Sequence, residues 1–283
     1  MPSARSTTES SVGDAPPTCA IIAIGRELLL GRTLDTNSHW LAGQLTMLGG
    51  KLERISVIDD QAATIIAELQ AAWRRRTRFL FMTGGLGPTY DDATLIAVAR
   101  AARRPLELNP EAFEHVRARY RHLHATGLLR SGRLTAPRKK MAIVPRGGVI
   151  LANPVGTAPG VHLTRRGSHL FCLPGVPAEL RAIFTESVLP LLRALLGAHA
   201  YHEAELDSGC NDETVLSGLI EPLRRRYPDI HLKTDATGFE AGGRLRIFLT
   251  AHGRDAATLR LRIGAARHNL LQALRRAGYA AAR

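Results

Sequence analysis

Several things are scarce in this sequence, and each scarcity removes a class of protein. Aromatic residues make up 5% of the 283 residues. A core must therefore be packed from Leu, Ile, Val and Ala, and no interleaved aromatic platform for stacking single-stranded bases is available. No apolar run approaches the ~18–20 residues that span a bilayer, so no membrane association is expected. The first 18 residues are rich in Ser and Thr, carry Pro16-Pro17 and have no apolar stretch. They are expected to form a disordered leader, not a secretory signal. Cys19, Cys172 and Cys210 are far apart, form no CxxC pair and are odd in number, which argues against zinc and against a disulfide framework. A reducing, cytoplasmic location is the expectation. No serine stands in a nucleophile-elbow pattern. Among the eleven histidines the closest spacing on one helix, His122 and His124, puts the two on different faces, so no histidine is expected to hold a metal.

Positive charge, by contrast, is abundant, with a net +13. Residues 201–283 carry 13 Lys/Arg against 10 Asp/Glu, so ten of the thirteen net charges belong to residues 1–200. They fall in clusters such as Arg74-Arg75-Arg76, Arg103-Arg104 and Arg138-Lys139-Lys140. Clusters this short read as solvated helix faces, and nucleic acid is not expected as a partner. A basic surface also steers anionic small molecules, nucleotides included.

The hydrophobic fraction of 45% can fill a sizeable core. CAIIAIG, residues 19–25, reads as a buried parallel strand ending in glycine. A helix is expected from Asp35 to Leu48, with Trp40, Leu41, Leu45 and Leu48 on one face. Leu52 to Ile58 reads as a second strand and Ala62 to Trp73 as a helix. Arg78 to Met82 is a third buried strand that runs into a glycine-rich turn. Asp91 or Asp92 is then expected to cap a helix through Ala101. This alternation predicts a parallel sheet covered on both faces, which binds ligands beyond the carboxyl ends of its strands. Pro110 to His124 reads as a helix, Leu128 to Lys140 as a loop or broken helix, and three short strand segments follow. A helix from Pro177 to Leu196, stopped by Gly197, closes a first domain of residues 19–197. Residues 201–283 read as β-α-β-β-α with a hairpin turn at Gly238 to Gly243, a second and smaller α+β module.

The turn at 83–92 carries the strongest chemical signal. Gly84, Gly85 and Gly87 let the backbone take positive φ and approach an anion closely. Pro88 and Thr89 complete the turn, whose successive amides form a nest beside a helix N-terminus. The spacing is neither the P-loop nor the dinucleotide GxGxxG. Asp91 and Asp92 repel a bare phosphate, so they either cap the helix or hold a divalent cation such as Mg, Mn or Co that bridges to phosphate oxygens. Glu27 and Asp59 are expected to converge on the same sheet edge. Asn153 to Gly160 forms a rigid loop in which Pro154 and Pro159 fix φ, Gly156 and Gly160 permit close approach, and Asn153 and Thr157 supply donors. Pro174 and Gly175 belong to a second such loop at the same rim.

Together these motifs resemble the N-terminal domain of CinA-type competence/damage-inducible proteins, in the molybdopterin-binding (MogA/gephyrin-like) superfamily. The matching stretches are IIAIGRELLLGRTLDTN (21–37), VIDD (57–60), TGGLGPTYDDAT (83–94), NPVGTAPG (153–160) and LPGVP (173–177). Residues 201–283 resemble the KH-like module that follows this domain, although no GxxG clamp occurs there. The resemblance implies a three-layer α/β fold with a parallel or mixed sheet of molybdopterin-binding type. It also implies metal-dependent hydrolysis of the pyrophosphate in ADP-ribose or a related dinucleotide. The alternative it carries is non-catalytic binding of molybdopterin or a pterin nucleotide, as in MogA-like relatives of molybdenum cofactor biosynthesis. By motif position, Asp59 and Asp92 would be the essential acids, Gly84, Gly85 and Gly87 the phosphate cradle, and Asn153 to Gly160 the pocket lining. A homo-oligomer is implied in the same way. Arg26 and Tyr90 depart from the family pattern, which usually has Thr and Lys at those places, so Arg26 is expected to put a cation at the pocket mouth. The amidase domain that follows in full CinA proteins has no counterpart in these residues, and amidase activity is not expected of them.

Overall fold

The computed structural model describes residues 15–197, 199–235 and 244–281. The described residues fall into two compact units, one within 17–197 and one within 199–281.

The first unit begins with β1 (Thr18–Ile24), which is apolar on both faces and buried after its first residue, as a central parallel strand must be. One helical turn, α1 (Arg26–Leu29), precedes α2 (Thr36–Met47), which Asp35 caps by accepting from the Ser38 amide at 2.9 Å. β2 (Lys51–Ile58) lies at the sheet edge and is largely exposed. α3 (Ala62–Arg74) buries Ile65, Leu69 and Ala72, spaced to share one face. β3 (Phe79–Thr83) is buried at every residue and leads through the glycine-rich turn to α4 (Thr94–Ala102). β4 (Leu106–Leu108), α5 (Pro110–Ala125), α6 (Ala136–Lys140) and β5 (Ile143–Pro145) come next, with β4 and β5 paired as a short antiparallel ribbon. β6 (Val149–Leu151), β7 (Gly160–Arg165) and β8 (Ser168–Leu173) complete the strands. The closing helix expected from Pro177 to Leu196 is interrupted: α7 (Pro177–Ile183) and α8 (Leu189–Leu196) flank a π-helical turn at Phe184–Val188. Pro190 has no N–H for the carbonyl four residues back, which opens the helical ladder there.

The main sheet has the order β2-β1-β3-β8-β7-β6. β2, β1, β3 and β8 run parallel, whereas β7 and β6 are antiparallel to their neighbours. Neighbouring residues of a strand point to opposite faces, and here each face has its own core. Ile22, Met82 and Leu170 pack with Ile65, Leu69, Val98 and Val116 on one side. Ile21, Phe81 and Phe171 pack with Leu41, Leu45, Phe184 and Leu192 on the other. A mixed α/β sandwich of three layers results. The register sets Ala23 beside Thr83 and Thr83 beside Leu173, so the carboxyl ends of β1, β3 and β8 open on one rim.

The second unit comprises β9 (Ala200–Asp207), α9 (Glu213–Arg226), β10 (His231–Asp235), β11 (Arg246–Gly253) and α10 (Ala256–Arg276). Its antiparallel sheet has the order β10-β11-β9. Leu206, Ile247 and Leu249 meet Leu216, Ile220, Ile263 and Leu270 in a single core. Asp212 and Asp255 cap the two helices. The hairpin turn expected at Gly238 to Gly243 lies outside the described residues. All three cysteines are buried and free. No helix among the described residues is long and apolar enough to cross a membrane.

Candidate functional site

The turn after β3 is dictated by close contact on three sides. The Gly84 amide donates to the Leu173 carbonyl of β8 at 3.0 Å while its φ is +98°. A Cβ at Gly84 would stand 2.3 Å from the Ile24 carbonyl oxygen of β1. Gly85 has φ +69°, and a Cβ there would lie 2.3 Å from Thr94 Oγ1. Thr94 is wholly buried and pins the turn: its hydroxyl donates to the Gly84 carbonyl at 2.8 Å and its amide to the Gly85 carbonyl at 3.2 Å. At Gly87 the obstacle is the Asp92 carboxylate, 2.6 Å from where a Cβ would be.

Neither Asp91 nor Asp92 caps the helix that follows. α4 begins at Thr94, and its N-cap, Ala93, has no side-chain acceptor and makes no capping hydrogen bond. The two carboxylates instead close the turn one step earlier. Asp92 accepts from the Thr89 amide at 2.8 Å, and the Thr89 hydroxyl lies against both acids, able to donate to one at a time. Lys140 of α6 donates its ammonium to the Thr89 carbonyl. The hydrogen bond from Thr89, and less strongly the charge of Lys140, hold the Asp91 carboxyl below its ordinary value. A second pair of acids stands where β2 ends. The Gly25 amide donates to the Ile58 carbonyl at 3.1 Å and so draws Asp59 and Asp60 toward the rim. A hydrogen bond with Asp59, assisted by partial burial and by the charges of Asp59 and Asp91, raises the Asp60 carboxyl above its ordinary value.

These parts surround a cavity of about 410 Å³. Glu27, Asp91, Asp92, Gly84, Gly85, Gly87, Pro88, Thr157, Pro174 and Gly175 line it, as the sequence suggests. Asp59 does not; its neighbour Asp60 does. Successive residues leaving a strand point to opposite sides, so only one acid of the pair can face the cavity, and Asp59 Oδ1 ends up buried with no hydrogen-bond donor. Thr89 serves the turn and not the cavity wall, and Arg26 is exposed without lining it. The cation at this turn is Lys140, which faces a smaller cavity of about 170 Å³ beyond Gly85, Gly87 and Asp92.

The loop at 153–160 is built differently from the expectation. Asn153 is wholly buried and uses its full hydrogen-bonding capacity internally. Its Nδ2 donates to the Ala158 carbonyl at 2.8 Å and to Glu179 Oε2 at 2.7 Å, while its Oδ1 accepts from the amides of Val155 at 3.2 Å and Gly156 at 2.7 Å. It therefore shapes the loop and has no donor left for a ligand. Arg119 of α5 clamps the outside, donating to the carbonyls of Gly156 and Val155. A Cβ at Gly156 would lie 2.0 Å from the Glu179 carboxyl carbon, so this glycine exists to admit Glu179. Pro154 is exposed, and Gly160 is the first residue of β7, paired with Leu151, away from the cavity. Glu179, two residues into α7, does reach the cavity, and burial raises its carboxyl above the ordinary value. The second loop is tied by Asn37, whose Nδ2 donates to the Gly175 carbonyl at 2.7 Å.

Five carboxyl groups thus border the cavity, and no Lys, Arg or His lines it. The described residues contain no ready-made cluster of three or more His, Cys, Asp or Glu that could hold a metal ion. The donor chemistry nevertheless suits a hard divalent cation, since the cavity presents carboxylate oxygens and no basic side chain.

Residues 20–194 match the family model described as "Probable molybdopterin binding domain". The chain belongs to this family. The matched segment includes every element that borders the cavity, from β1 to the closing helices, and leaves the second unit outside. Among the relatives of this chain, a protein of Aeropyrum pernix is 41% identical over 226 residues, covering 80% of this chain and 81% of its own. A Pyrococcus abyssi protein is 36% identical over 219 residues, covering 77% and 85%. The solved structure of the protein CinA from Thermoplasma acidophilum superposes with a TM-score of 0.56 at 30% identity, over 62% of this chain and 98% of that one.

Proposed function

We propose that the cavity at the carboxyl ends of β1, β3 and β8 binds an anionic nucleotide or pterin-type ligand through its pyrophosphate and hydrolyses that pyrophosphate with a divalent cation, in the manner of CinA-type ADP-ribose pyrophosphatases. The observation that carries this reading is the pairing of a glycine-built nest with a rim of five carboxyl groups and no basic side chain. A nest favours phosphate, whereas the carboxylates oppose it unless a cation stands between. Asp60, Asp91, Asp92 and Glu27, which line the cavity, are the residues to hold that cation, with Asp60 in the place expected from the sequence for Asp59. A bound divalent cation supplies positive charge against the phosphate oxygens and eases the deprotonation of water.

The chain's own residues then divide the work. Gly84 spends its own amide on the Leu173 carbonyl and so fixes the turn to β8, while Gly85 and Gly87 bring main-chain amides within reach of phosphate oxygens. Thr94 and Leu173 hold that turn in place from behind. Asn153, Glu179 and Arg119 keep the opposite wall rigid. With ADP-ribose, addition of one water across the pyrophosphate gives AMP and ribose 5-phosphate.

Purified full-length protein incubated with ADP-ribose and Mg²⁺, Mn²⁺ or Co²⁺ should release AMP, and Asp60→Asn and Asp92→Asn should each abolish it. No turnover with any of the three ions would refute hydrolysis. The second reading is binding without catalysis, supported by the match of residues 20–194 to a probable molybdopterin binding domain. Tight binding of a pterin nucleotide in the presence of a chelator, with no turnover, would establish that reading instead.

A further inference from the structure

The opposite end of the main sheet holds a second concavity of contrary charge. A cavity of about 990 Å³ adjoins one of about 460 Å³, and the two share Trp73, Arg165, Arg166 and Gly167. Arginines reach them from three places: Arg74 and Arg76 at the end of α3, Arg103 and Arg104 at the end of α4, and Arg165 and Arg166 on the β7–β8 hairpin. Arg78, just before β3, adds another. No Asp or Glu lines either cavity. The five residues of β3 set this groove about 17 Å from the glycine-rich turn at the strand's other end.

The backbone of these turns is unusual. Arg76, Arg103 and Arg166 have φ of 59°, 55° and 48°, and they are the only non-glycine residues with positive φ among the described residues. A helix end of this kind favours glycine, and a two-residue hairpin loop with both φ positive favours Asn-Gly. Here the hairpin has Arg166 followed by Gly167 at φ 81°. Three times, then, an arginine occupies a position that the backbone favours for glycine, and each time it lines the same groove. Cations near helix carbonyl ends complement the helix dipole, but that does not account for Arg166 on a hairpin or for the left-handed conformation. Strain of this kind persists where the surrounding structure and a function hold it.

The groove's walls are anchored. Arg104 donates to the carbonyls of Arg146 at 3.0 Å and Thr164 at 2.8 Å, and the Arg165 guanidinium lies 4.2 Å over the Trp73 ring. Arg74, Arg76, Arg103 and Arg166 are exposed and form no ion pair among the described residues. Guanidinium forks match phosphate oxygens two at a time, and cations spread along a groove select several linked negative charges over one. With the Trp73 face covered by Arg165, no aromatic ring is free to stack a base, which argues against single-stranded nucleic acid.

We propose that this groove is a second anion site, separate from the candidate active site, which takes a compact chain of phosphates such as tripolyphosphate or the triphosphate of a nucleotide. The test uses full-length protein, inorganic tripolyphosphate as the probe and titration calorimetry at about 0.15 M salt, where weak surface attraction is screened. The informative variant is Arg103→Gly combined with Arg166→Gly, which removes two cations and gives both turns the residue their φ prefers. Saturable binding by the wild type should weaken at least tenfold, roughly, in this variant. Its thermal midpoint should stay the same or rise, which a role confined to folding would not produce. Asp60→Asn, at the far end of the sheet, should leave tripolyphosphate affinity unchanged. No saturable binding, equal affinity in the glycine variant, or loss of affinity in Asp60→Asn would each overturn the proposal. So would tighter binding of a single-stranded oligonucleotide at equal phosphate concentration. Adenosine triphosphate as a second titrant separates the two accepted sources: affinity equal to tripolyphosphate means that only the phosphate chain is read, and higher affinity means that the nucleoside is read too.

Discussion

Asn153 is the place where the candidate site can be tested through stability alone. Replacing it with alanine strands the buried Gly156 amide and the buried Ala158 carbonyl and removes the donor to Glu179. Each unsatisfied buried main-chain group costs about 1–3 kcal/mol. Glu179 is half-buried and can turn partly to water, so its share is smaller. The expected loss for Asn153→Ala is about 3–4 kcal/mol, a fall in thermal midpoint of about 10 °C for a unit of this size. Urea denaturation followed by tryptophan fluorescence reads this unit selectively, because both tryptophans of the chain, Trp40 and Trp73, lie in it. Asn153→Asp adds a pH signature. It sets a buried carboxyl against Glu179, whose own carboxyl already stands above its ordinary value. The folded-state pKa at position 153 is then raised above the unfolded value of about 3.9. That penalty is absent below the unfolded value and grows as pH rises toward the folded one. The deficit of Asn153→Asp should therefore widen between pH 4 and pH 7.5, and more steeply than that of Asn153→Ala, which loses only the hydrogen bond that favours the ionised Glu179. A loss below about 1 kcal/mol in Asn153→Ala would show that water replaces the side chain. A pH-independent deficit in Asn153→Asp would show that the carboxyl escapes the buried position. Either result would refute the argument.

Other consequences can be checked independently. Gly84→Ala should cost more than the ~1–2 kcal/mol of left-handed strain, because its Cβ would meet the Ile24 carbonyl at 2.3 Å; denaturation measures the excess, and ligand binding should be lost with it. His162 is 7% exposed, shares a hydrogen bond of 3.1 Å with His169, and has its pKa pushed down to about 4 by burial and then by that neighbour. Its folded value lies below the unfolded ~6.5, so the unfolded chain binds the extra proton and stability falls by about 3 kcal/mol as pH drops from 6.5 to 4. The difference between wild type and His162→Gln across that window isolates the effect, and parallel curves would contradict it. Burial pushes the Cys19 and Cys172 thiols up to about 12, so neither should be alkylated by iodoacetamide at pH 8 until the chain is denatured. Mass spectrometry of native and unfolded samples decides this.

Element order was legible from patterning because buried parallel strands and amphipathic helices differ in period. CAIIAIG and RFLFM could hardly be anything but central strands, and the helix spacing of Ile65 and Leu69 survives in the core. Boundaries and caps were less legible. Asp91 and Asp92 looked like N-caps, yet the helix starts two residues beyond Asp92, because Thr89 captures both carboxylates within the turn. Asp59 and Asp60 are adjacent in sequence, and only the direction in which the chain leaves β2 decides that Asp60 meets the cavity. Glu179 and Lys140 carried signals of their own, a third residue of a helix after Pro177 and the last cation of a basic run. What they lacked was any sequence sign of their destination.

The sequence by itself determined that Thr83 to Asp92 would form a glycine-built turn at a strand end, since no other residue tolerates those conformations so close to neighbouring backbone. It also determined that carboxylates would crowd that rim. Tertiary structure alone decided the rest. It turned Asn153 inward as a loop organiser, brought Glu179 and Asp60 to the cavity, and gathered arginines from α3, α4 and a hairpin into one groove at the far end of the sheet. The physical reason is range. Turn chemistry and periodicity act over a few residues, whereas the placement of Asn153 beside Glu179, 26 positions apart, exists only once the sheet has brought their segments together.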